Sequence, residues 1–295
     1  MSVEIKKCPV CSGKSFRLKL VCKDYSASLE DFKIVSCETC GFVFTNPRPN
    51  NNDIDRYYES ENYISHSNNK KGFFNFLYQN VRQITIKKKV AMIRKLGAKS
   101  LLDIGCGTGE FLNEAQIKGI NVCGIEPSEK ARVQCQKNYN LTVSESANLE
   151  EYKRDSFDCI TMWHVLEHMP DLNKLIKEAH EVIKNNGKLI IGVPNYKSWD
   201  AHYYKQHWAA WDVPIHFWHF SKESIEKIFK KHGFILSETK PMFFDSFYVS
   251  ILSEEYKSGK KRFIKGIIVG AISNIIGWFT KRGFSSTIYV FEKKD

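Results

Sequence analysis

The amino-acid sequence predicts an α/β fold in which helices cover both faces of a mostly parallel sheet, preceded by a small cysteine-rich module. Strand and helix patterns alternate after residue 80, as expected for βαβ units. A buried-strand pattern at 100–104 runs directly into a glycine-rich turn at 105–109. Two C-x-x-C pairs, at 8–11 and 37–40, indicate a metal site near the N-terminus.

Length, composition and charge limit the classes of function. The chain has 295 residues, 42% of them hydrophobic, enough for one large domain and a small one. The sequence predicts neither a signal peptide nor a helix that crosses a bilayer. Nine cysteines without a secretory signal favour a reducing, cytoplasmic location and metal binding rather than disulfides. The net charge of +11 indicates either an anionic partner or lysine-rich solvated helix faces.

The first predicted unit, residues 1–48, is a zinc-ribbon module. Four thiolates with the spacing of two knuckles can close a tetrahedron around Zn²⁺; they belong to Cys8, Cys11, Cys37 and Cys40. Such a site leaves no open position for water, so we expect the zinc to be structural. Cys22 lies between the knuckles without a partner and is expected to be packed. Residues 49–80 form a linker and cap segment whose aromatic residues either cover a cofactor or pack in the core.

The second predicted unit, residues 81–295, consists of alternating elements with two insertions, at 195–220 and 242–285. Helices are predicted at 80–96, 109–118, 128–138, 171–184 and 221–232. Strands are predicted at 100–104, 121–126, 141–145, 157–162, 188–193, 234–240 and 287–292. Ligands of open α/β sheets bind beyond the carboxyl ends of the strands, and the motifs described next fall at those ends.

The glycine turn and the strand after it form the clearest ligand-binding pattern. Glycines at 105, 107 and 109 let the backbone bend sharply and bring N–H groups against a ligand. The dinucleotide fingerprint G-x-G-x-x-G would need its third glycine at position 110, which is Glu110. The next strand ends on Glu126, where a carboxylate can accept hydrogen bonds from both hydroxyls of a ribose.

These motifs resemble those of the class I S-adenosylmethionine (SAM) methyltransferases, and the resemblance covers roughly residues 80–240 plus the last strand. It implies a Rossmann-like, seven-stranded sheet whose last strand is antiparallel, and SAM as the cofactor. Position by position, it implies cofactor contacts from Asp103, Gly105, Cys106, Gly107, Gly109, Glu126, Pro127, Ala147, Asn148, Trp163 and His164.

The segment from His164 to His168 matches two known motifs. The H-x-x-E-H motif of some zinc proteases requires a long helix, whereas here the pattern follows a strand and is interrupted by Pro170, so we reject it. The segment also resembles the E-x-x-E-H motif of ubiquinone-pathway O-methyltransferases, which is implicated in divalent metal binding. A second metal at His164, Glu167 and His168 is one interpretation. The other is that Glu167 and His168 brace the loop through backbone hydrogen bonds.

The first insertion, 195–220, combines aromatic residues and histidines. Its position after the fifth strand predicts a substrate-binding lid, and parts of it resemble methyltransferases of bacterial glycan and lipid pathways; a hydrophobic mini-core is the alternative. Methyl transfer needs a group that removes a proton, and histidine titrates near neutrality. The candidate catalytic residues are His164, His168, His216 and His219.

The second insertion, 242–285, contains a basic segment followed by an apolar one. Glycine, serine and asparagine recur along 263–279 at helical spacing and leave the isoleucines on the other face, which predicts an amphipathic helix. Basic residues flank this helix on both sides. Residues 257–282 therefore indicate either peripheral contact with a membrane or a helix packed on the domain or on a second copy.

Together these features predict a SAM-dependent methyltransferase that acts on a small-molecule acceptor, possibly lipid- or carrier-linked. Glycan, lipid and quinone-type biosynthesis are the expected settings, in the cytoplasm or at the inner face of the membrane. An RNA methyltransferase is a first alternative, favoured by zinc and positive charge but lacking the Asn/Asp-Pro-Pro-aromatic pattern after the fourth strand. A non-catalytic zinc-ribbon binding module is the second. The sequence predicts neither the acceptor atom nor the oligomeric state.

Overall fold

The computed structural model describes residues 2–50, 53–58, 73–146 and 148–294. The described strands are β1 (Ser2–Val3), β2 (Phe16–Lys23), β3 (Asp31–Cys37), β4 (Val43–Thr45), β5 (Arg48–Pro49), β6 (Ser100–Ile104), β7 (Asn121–Ile125), β8 (Val143–Ser144), β9 (Phe157–Trp163), β10 (Ile183–Pro194), β11 (Trp218–His219), β12 (Phe234–Pro241) and β13 (Ser286–Lys293). The described α-helices are α1 (Phe73–Lys95), α2 (Glu110–Ile117), α3 (Glu129–Tyr139), α4 (Leu172–Val182), α5 (Trp199–Tyr204), α6 (Lys222–Lys231), α7 (Phe243–Ser258) and α8 (Phe263–Phe279).

The larger sheet has seven strands in the order β12-β13-β10-β9-β6-β7-β8. Strand β13 runs antiparallel to both of its neighbours, whereas β10, β9, β6, β7 and β8 pair in parallel. The central strands are apolar on both faces because helices cover both sides; Leu101, Leu102 and Ile104, for example, are all buried. The predicted seven-stranded α/β sheet with an antiparallel last strand is therefore confirmed.

A smaller, four-stranded sheet in the order β11-β4-β3-β2 belongs to the N-terminal module. Its edge strand β11 comes from the predicted lid insertion, more than 170 residues along the chain, and pairs Trp218 with Phe44. The rings of Phe42, Phe44 and Trp218 pack together with centroids about 6 Å apart. Apolar side chains of the module also belong to the core that surrounds α4 and α6. The module and the lid are thus one packed structure.

Several predicted boundaries differ from the structure. The predicted strand 141–145 is reduced to Val143–Ser144, which pairs with β7 through two residues. The predicted helix 171–184 ends at Val182, and β10 begins at Ile183, five residues before the predicted strand. A register shift between Ile183 and Lys188 separates this first β10 residue from the regular part of the strand. The helix predicted at 80–96 begins already at Phe73.

Helix α7 was not predicted because the usual hydrophobic pattern of a helix is inverted in it: polar residues are buried and aromatic residues are exposed. It buries four polar residues completely, namely Ser246, Ser250, Ser253 and Glu254, and it leaves Phe243, Phe244 and Tyr248 at 37–41% exposure. The hydrophobic periodicity of this segment would therefore place its aromatic residues in the core and its serines in solvent, the opposite of what the structure shows. The insertion 242–285 is a pair of helices rather than one.

Helices α7 and α8 form a hairpin with a very close approach. A Cβ atom at Gly266 would lie 2.7 Å from the Cα of Ile251, and one at Gly270 would lie 2.9 Å from the Cα of Phe247. These glycines face inward, and the isoleucines of α8 face outward, as predicted. Among the described residues, no helix is both long and apolar enough to cross a membrane.

One buried carboxylate attaches the lid to this hairpin. Asp200 on α5 is fully buried and accepts hydrogen bonds from Trp208 Nε1 (2.8 Å), Ser273 Oγ (2.7 Å) and Ser285 Oγ (2.6 Å). Three donors compensate for the loss of hydration of this charge. The lid, α8 and the loop before β13 are therefore held at one point.

Candidate functional site

The glycine turn lies at the carboxyl end of β6. Gly105, Gly107 and Gly109 have φ angles of 74°, 56° and 85°, in the left-handed region that favours glycine. A Cβ atom at Gly105 would lie 2.3 Å from a Val165 methyl carbon, whereas one at Gly107 would meet nothing within 4 Å. The N–H groups of Gly105 and Cys106 both donate to the Ile125 carbonyl (2.7 and 3.0 Å), which fixes the turn against β7.

Glu126 joins this turn to the start of α3. Its Oε2 accepts from the N–H of Gly107 (2.9 Å) and its Oε1 accepts from the N–H of Ser128 (2.9 Å). Each carboxylate oxygen has a second lone pair, so the group can still accept two hydroxyl donors. The structure thus brings the two predicted halves of the cofactor site, the glycines and the acid, into direct contact.

The remaining predicted adenine-side residues lie next to this contact or outside the described ranges. The carbonyl of Pro127 accepts from Arg132 (2.6 Å), and Asn148 caps the short helical turn Leu149–Glu151 through its side chain. Ala147 and residues 51–52 and 59–72 of the cap segment lie outside the described residues, so their predicted roles stay predictions.

Asp103 lies beneath the turn and is 2% exposed. Its Oδ1 accepts from the Thr161 hydroxyl on β9 (2.5 Å). Burial raises the pKa of the Asp103 carboxyl to about 7, although the Thr161 hydrogen bond and the nearby Lys89 charge oppose the rise. Asp103 therefore connects two strands at the floor of the site.

His164 follows β9 and is held between two carboxylates. Its Nε2 lies 2.9 Å from Asp245 Oδ2 on α7, and its Nδ1 lies 3.3 Å from Glu167 Oε1. Burial alone would lower the pKa of His164, but these two carboxylates raise it to about 10. Its φ of 56° is unusual for a residue other than glycine. The structure thus makes His164 an imidazolium, and the partner Asp245 was not predicted.

His168 and His216 form a contrasting pair. Their rings pack edge to face with centroids 4.6 Å apart, and each Nδ1 lies 3.0 Å from a backbone carbonyl, of Ile215 and Ala210 respectively. A carbonyl only accepts, so each Nδ1 carries the proton and each Nε2 keeps its lone pair. Burial lowers the pKa of both histidines, which keeps them neutral. The Tyr58 hydroxyl also lies 3.1 Å from His168 Nδ1.

The grouping predicted for a second metal changes in the structure. The ligand atoms that converge within 4.8 Å belong to Glu167, His168 and His216. His164 is engaged by Asp245, so the lid residue His216 replaces it in this cluster. Glu167 is fully buried, and its Oε2 has no hydrogen-bond partner among the described residues. A carboxylate and two imidazoles form a donor set that fits a divalent cation.

His219, the fourth candidate catalytic residue, lies in β11. Its Nε2 is 3.1 Å from the Thr45 hydroxyl and its ring packs on Trp211 at 4.9 Å. Burial lowers the pKa of His219 to about 3. The residue belongs to the packing between the module and the lid and not to the His168–His216 pair, so we leave it out of the proposed proton acceptors.

The four predicted zinc ligands converge in the N-terminal module. Their Sγ atoms all lie within 4.8 Å of one another, with Cys8–Cys40 and Cys11–Cys37 separations of 3.6 Å. A tetrahedral zinc site with Zn–S bonds of about 2.3 Å requires sulfur separations of about 3.8 Å. The donor set therefore fits structural zinc. Cys22 is buried and contacts the Gln206 carbonyl at 3.5 Å, which confirms that it is packed.

Comparison with known proteins agrees with this geometry. A family profile described as a methyltransferase domain matches residues 77–238, more than half of the chain. The chain is 27% identical over 120 residues to the ubiquinone biosynthesis O-methyltransferase of Bradyrhizobium diazoefficiens, covering 39% of this chain and 47% of that relative. It is 33% identical over 118 residues to the protein of the same name from Histophilus somni, covering 35% and 49%. The chain spans about half the length of the curated relatives it matches.

A solved structure shows the same fold. Magnesium protoporphyrin IX methyltransferase from Synechocystis PCC 6803 with bound S-adenosylhomocysteine (SAH) aligns with a TM-score of 0.55 and 16% identity, covering 83% of this chain and 100% of that chain. The chain thus has the class I SAM-methyltransferase fold, with the glycine–acid pair at the carboxyl ends of adjacent strands. The chain belongs to the methyltransferase-domain family.

We expect Glu126→Ala to weaken SAM binding by about 1–3 kcal/mol, because ribose hydroxyls would lose their acceptor and the glycine turn would lose its anchor. Isothermal titration calorimetry measures the effect. Glu129→Ala, three residues later at an exposed position of α3, is the control and should leave the affinity unchanged. An equal affinity for the wild type and Glu126→Ala would remove Glu126 from the cofactor site.

Proposed function

We propose that this protein transfers a methyl group from SAM to a small-molecule acceptor, and that the acceptor is lipid- or carrier-linked. The observation that carries the proposal is the contrast between two neighbouring histidines: His164 lies between two carboxylates, whereas His168 Nδ1 faces a backbone carbonyl. His164 is held protonated between two carboxylates, whereas His168 is neutral and keeps the Nε2 lone pair. Environments that separate the pKa values of neighbouring groups are typical of acid–base sites.

When bound, SAM supplies a methyl group on a sulfonium, which an acceptor atom takes in an in-line displacement that releases SAH. The glycine turn and Glu126 hold the cofactor, and the contacts of Asp103 with Thr161 keep this end of the sheet rigid. The lid and the buried aromatic residues beneath it exclude water from the acceptor side. The chain thus contributes mainly alignment and a dry environment.

His168 is the proposed proton acceptor. Its Nδ1–H is fixed on the Ile215 carbonyl, so Nε2 is the basic atom, and its depressed pKa keeps it unprotonated near neutral pH. His216 has the same tautomer and packs against it, which holds the ring in place. The imidazolium of His164 cannot take a second proton, and we assign it a positioning role between Glu167 and Asp245.

A divalent cation at Glu167, His168 and His216 would exclude this role for His168. A metal takes the imidazole lone pair, so His168 is either a ligand or a proton acceptor at any one time. Transfer that persists in the presence of a chelator supports the proton-acceptor assignment. Transfer that requires an added divalent cation would instead indicate that Glu167, His168 and His216 are metal ligands.

We also propose a structural zinc ion at Cys8, Cys11, Cys37 and Cys40. The support is the convergence of four thiols, with no disulfide among the described cysteines. The aromatic packing of Phe42 and Phe44 on Trp218 connects this site to the lid. Loss of the metal should therefore destabilise the lid before it affects the glycine turn and Glu126.

The third part of the proposal is contact with an anionic membrane through α7 and α8. Seven large apolar side chains of α8 are exposed on its outward face: Ile264 (77%), Ile267 (44%), Ile268 (53%), Ile272 (37%), Ile275 (57%), Trp278 (65%) and Phe279 (85%). The exposed aromatic residues of α7 extend this surface. We call the whole set the hairpin face.

Basic residues lie at both ends of the hairpin face. Lys260, Lys261 and Arg262 precede α8, and Lys281 and Arg282 follow it, all exposed. Lys265 is excluded from this group because it pairs with the buried Glu254 at 3.0 Å. Lys261 is retained because its Nζ lies 3.9 Å from Glu255, at the limit of an ion pair, and 63% of its side chain is exposed. A helix with cationic ends and an apolar middle lies in the plane of an interface with anionic lipids. Nucleic acid would not bury the isoleucines between these charges, so the same surface disfavours the RNA alternative.

The acceptor class is tested with SAM that carries a deuterated methyl group. We expect label in a small molecule or lipid when the protein is incubated with fractionated bacterial extracts and analysed by mass spectrometry. His168→Ala should lower the transfer rate by about 10²- to 10⁴-fold, with SAM affinity unchanged, because only proton removal is lost. Label in RNA alone would establish the RNA alternative. SAM binding without any label would leave a non-catalytic binding module.

For the cysteine site we expect about one zinc per chain, as in other four-cysteine sites. The double variant Cys8→Ser with Cys11→Ser should lose the metal, since a serine hydroxyl does not replace a thiolate ligand. Elemental analysis after expression with zinc supplied measures the content. Cys22→Ser is the matched control and should retain the ion; a metal-free wild type would contradict the proposal.

Membrane contact is tested by flotation with anionic vesicles. The wild type should float at low salt, and Ile268→Glu should not, because a charge on the hairpin face opposes insertion. Ile117→Glu, at a position 66% exposed on α2, is the matched control and should float as the wild type does. Replacing Lys260, Lys261 and Arg262 with glutamine should weaken binding by about 3 kcal/mol, at about 1 kcal/mol per charge. A wild type that stays unbound, or forms a dimer that Ile268→Glu dissociates, would assign the face to a second copy.

A further inference from the structure

The region beside the glycine turn contains a cation that the proposed chemistry does not use. Lys89 lies on α1, and its Nζ is 3.9 Å from the centroid of the Trp163 ring at the end of β9. Among the described residues, no carboxylate oxygen lies within 4.0 Å of this ammonium group. The indole N–H of Trp163 is buried and likewise finds no acceptor in the described part of the chain. Two donors at the same place therefore lack an anionic or polar partner.

The groups around Lys89 show why an unpaired ammonium at this position lowers the stability of the fold. Burial lowers the pKa of Lys89 to about 8, although the charges of Asp245 and Asp103 oppose the change. Asp245 Oδ2 already contacts His164, and Asp103 Oδ1 accepts from Thr161, which leaves only the second oxygen of Asp103 for a ligand. A partly buried cation without a paired anion lowers stability unless a ligand supplies the anion.

A second cation on the same helix provides an internal comparison. Arg82 precedes Lys89 by seven residues, two helical turns, so both side chains project from one face of α1. Arg82 pairs with Glu110 at 2.9 Å at the start of α2. Within the described part of the chain, Arg82 thus has a carboxylate partner and Lys89 has none.

We infer that Lys89 binds the methionine carboxylate of SAM, with the Trp163 ring holding the ammonium in position. This inference rests on the proposed function, since it assigns an anion subsite within the same cofactor pocket. The ribose end of the proposed cofactor site lies at Glu126, which follows β7. Strands β7, β6 and β9 are consecutive in the sheet, so a ligand that extends from Glu126 across the glycine turn reaches Trp163 and Lys89 at its other end.

The neighbouring groups fit an α-amino acid. Asp103 lies at the floor beneath the glycine turn and carries a carboxyl that can accept from an ammonium group, and Lys89 supplies the opposite charge for a carboxylate. A cation on a tryptophan face gains further attraction when it is partly desolvated.

The experiment compares SAM with decarboxylated SAM, which keeps the sulfonium and the amino group but lacks the carboxylate. Calorimetry on the full-length protein should give a wild-type preference for SAM of about 10- to 100-fold, the range of one charge-assisted hydrogen bond. Lys89→Met should remove most of this preference by weakening SAM binding while leaving decarboxylated SAM nearly unchanged. Lys89→Arg keeps the charge and should retain the preference.

Lys88→Met, at an exposed position of the same helix, is the matched control and should behave as the wild type. Thermal melts of each variant show whether it is folded. If Lys89→Met does not fold, the inference is tested by two other measurements: the wild type must prefer SAM, and Lys89→Arg must retain that preference. Equal wild-type affinity for the two ligands, or a Lys89→Met variant that keeps the preference, would overturn the inference. A wild type that binds neither ligand would contradict the proposed function instead.

Discussion

The pairing of β11 with β4 is the contact on which the acceptor side of the site depends. It places Trp218 on Phe44 and lets the Thr45 hydroxyl donate to the His216 carbonyl at 2.8 Å. The adjoining N–H of Phe217 donates to the carbonyl of Glu167, also at 2.8 Å. A continuous chain of hydrogen bonds thus runs from the cysteine module through the lid to the segment after β9. The position of His216 relative to His168 is consequently set by a module more than 170 residues away in sequence.

This arrangement gives the cysteine module a structural function that requires no substrate or nucleic acid to bind to it. Three short strands cannot bury enough apolar surface to be stable alone, and a bound metal would supply the missing free energy. Once rigid, the module offers an edge strand, and the lid pairs with that edge instead of leaving it exposed. A zinc ribbon that recognises nucleic acid would be expected to keep such a surface free. Here the surface is used within the chain, which favours a scaffolding role.

The parts of the site that are local in sequence could be predicted, and the parts that join distant segments could not. The glycine turn and Glu126 belong to one βαβ unit, so their spacing alone indicates their contact. The Asp245 partner of His164 lies 81 residues away, on a helix whose exposed aromatic residues reverse the usual hydrophobic pattern. His216 joins Glu167 and His168 only because the lid folds back on the module. Lys89 was missed because α1 carries three consecutive lysines, and only the structure shows that one of them faces a tryptophan.

The inverted pattern of α7 also links the hairpin face to the active site. Asp245 in the first turn of α7 holds His164, while Phe243 and Phe244, directly before it, extend the exposed apolar surface. One short segment thus contacts the site on one side and forms part of the hairpin face on the other. Under the proposed membrane contact, an acceptor anchored in a bilayer would enter beside this segment, without leaving the interface. Because the aromatic residues at the start of α7 lie on its outside, its inner face is filled by small and polar side chains, those of Ser246, Ser250, Ser253 and Glu254.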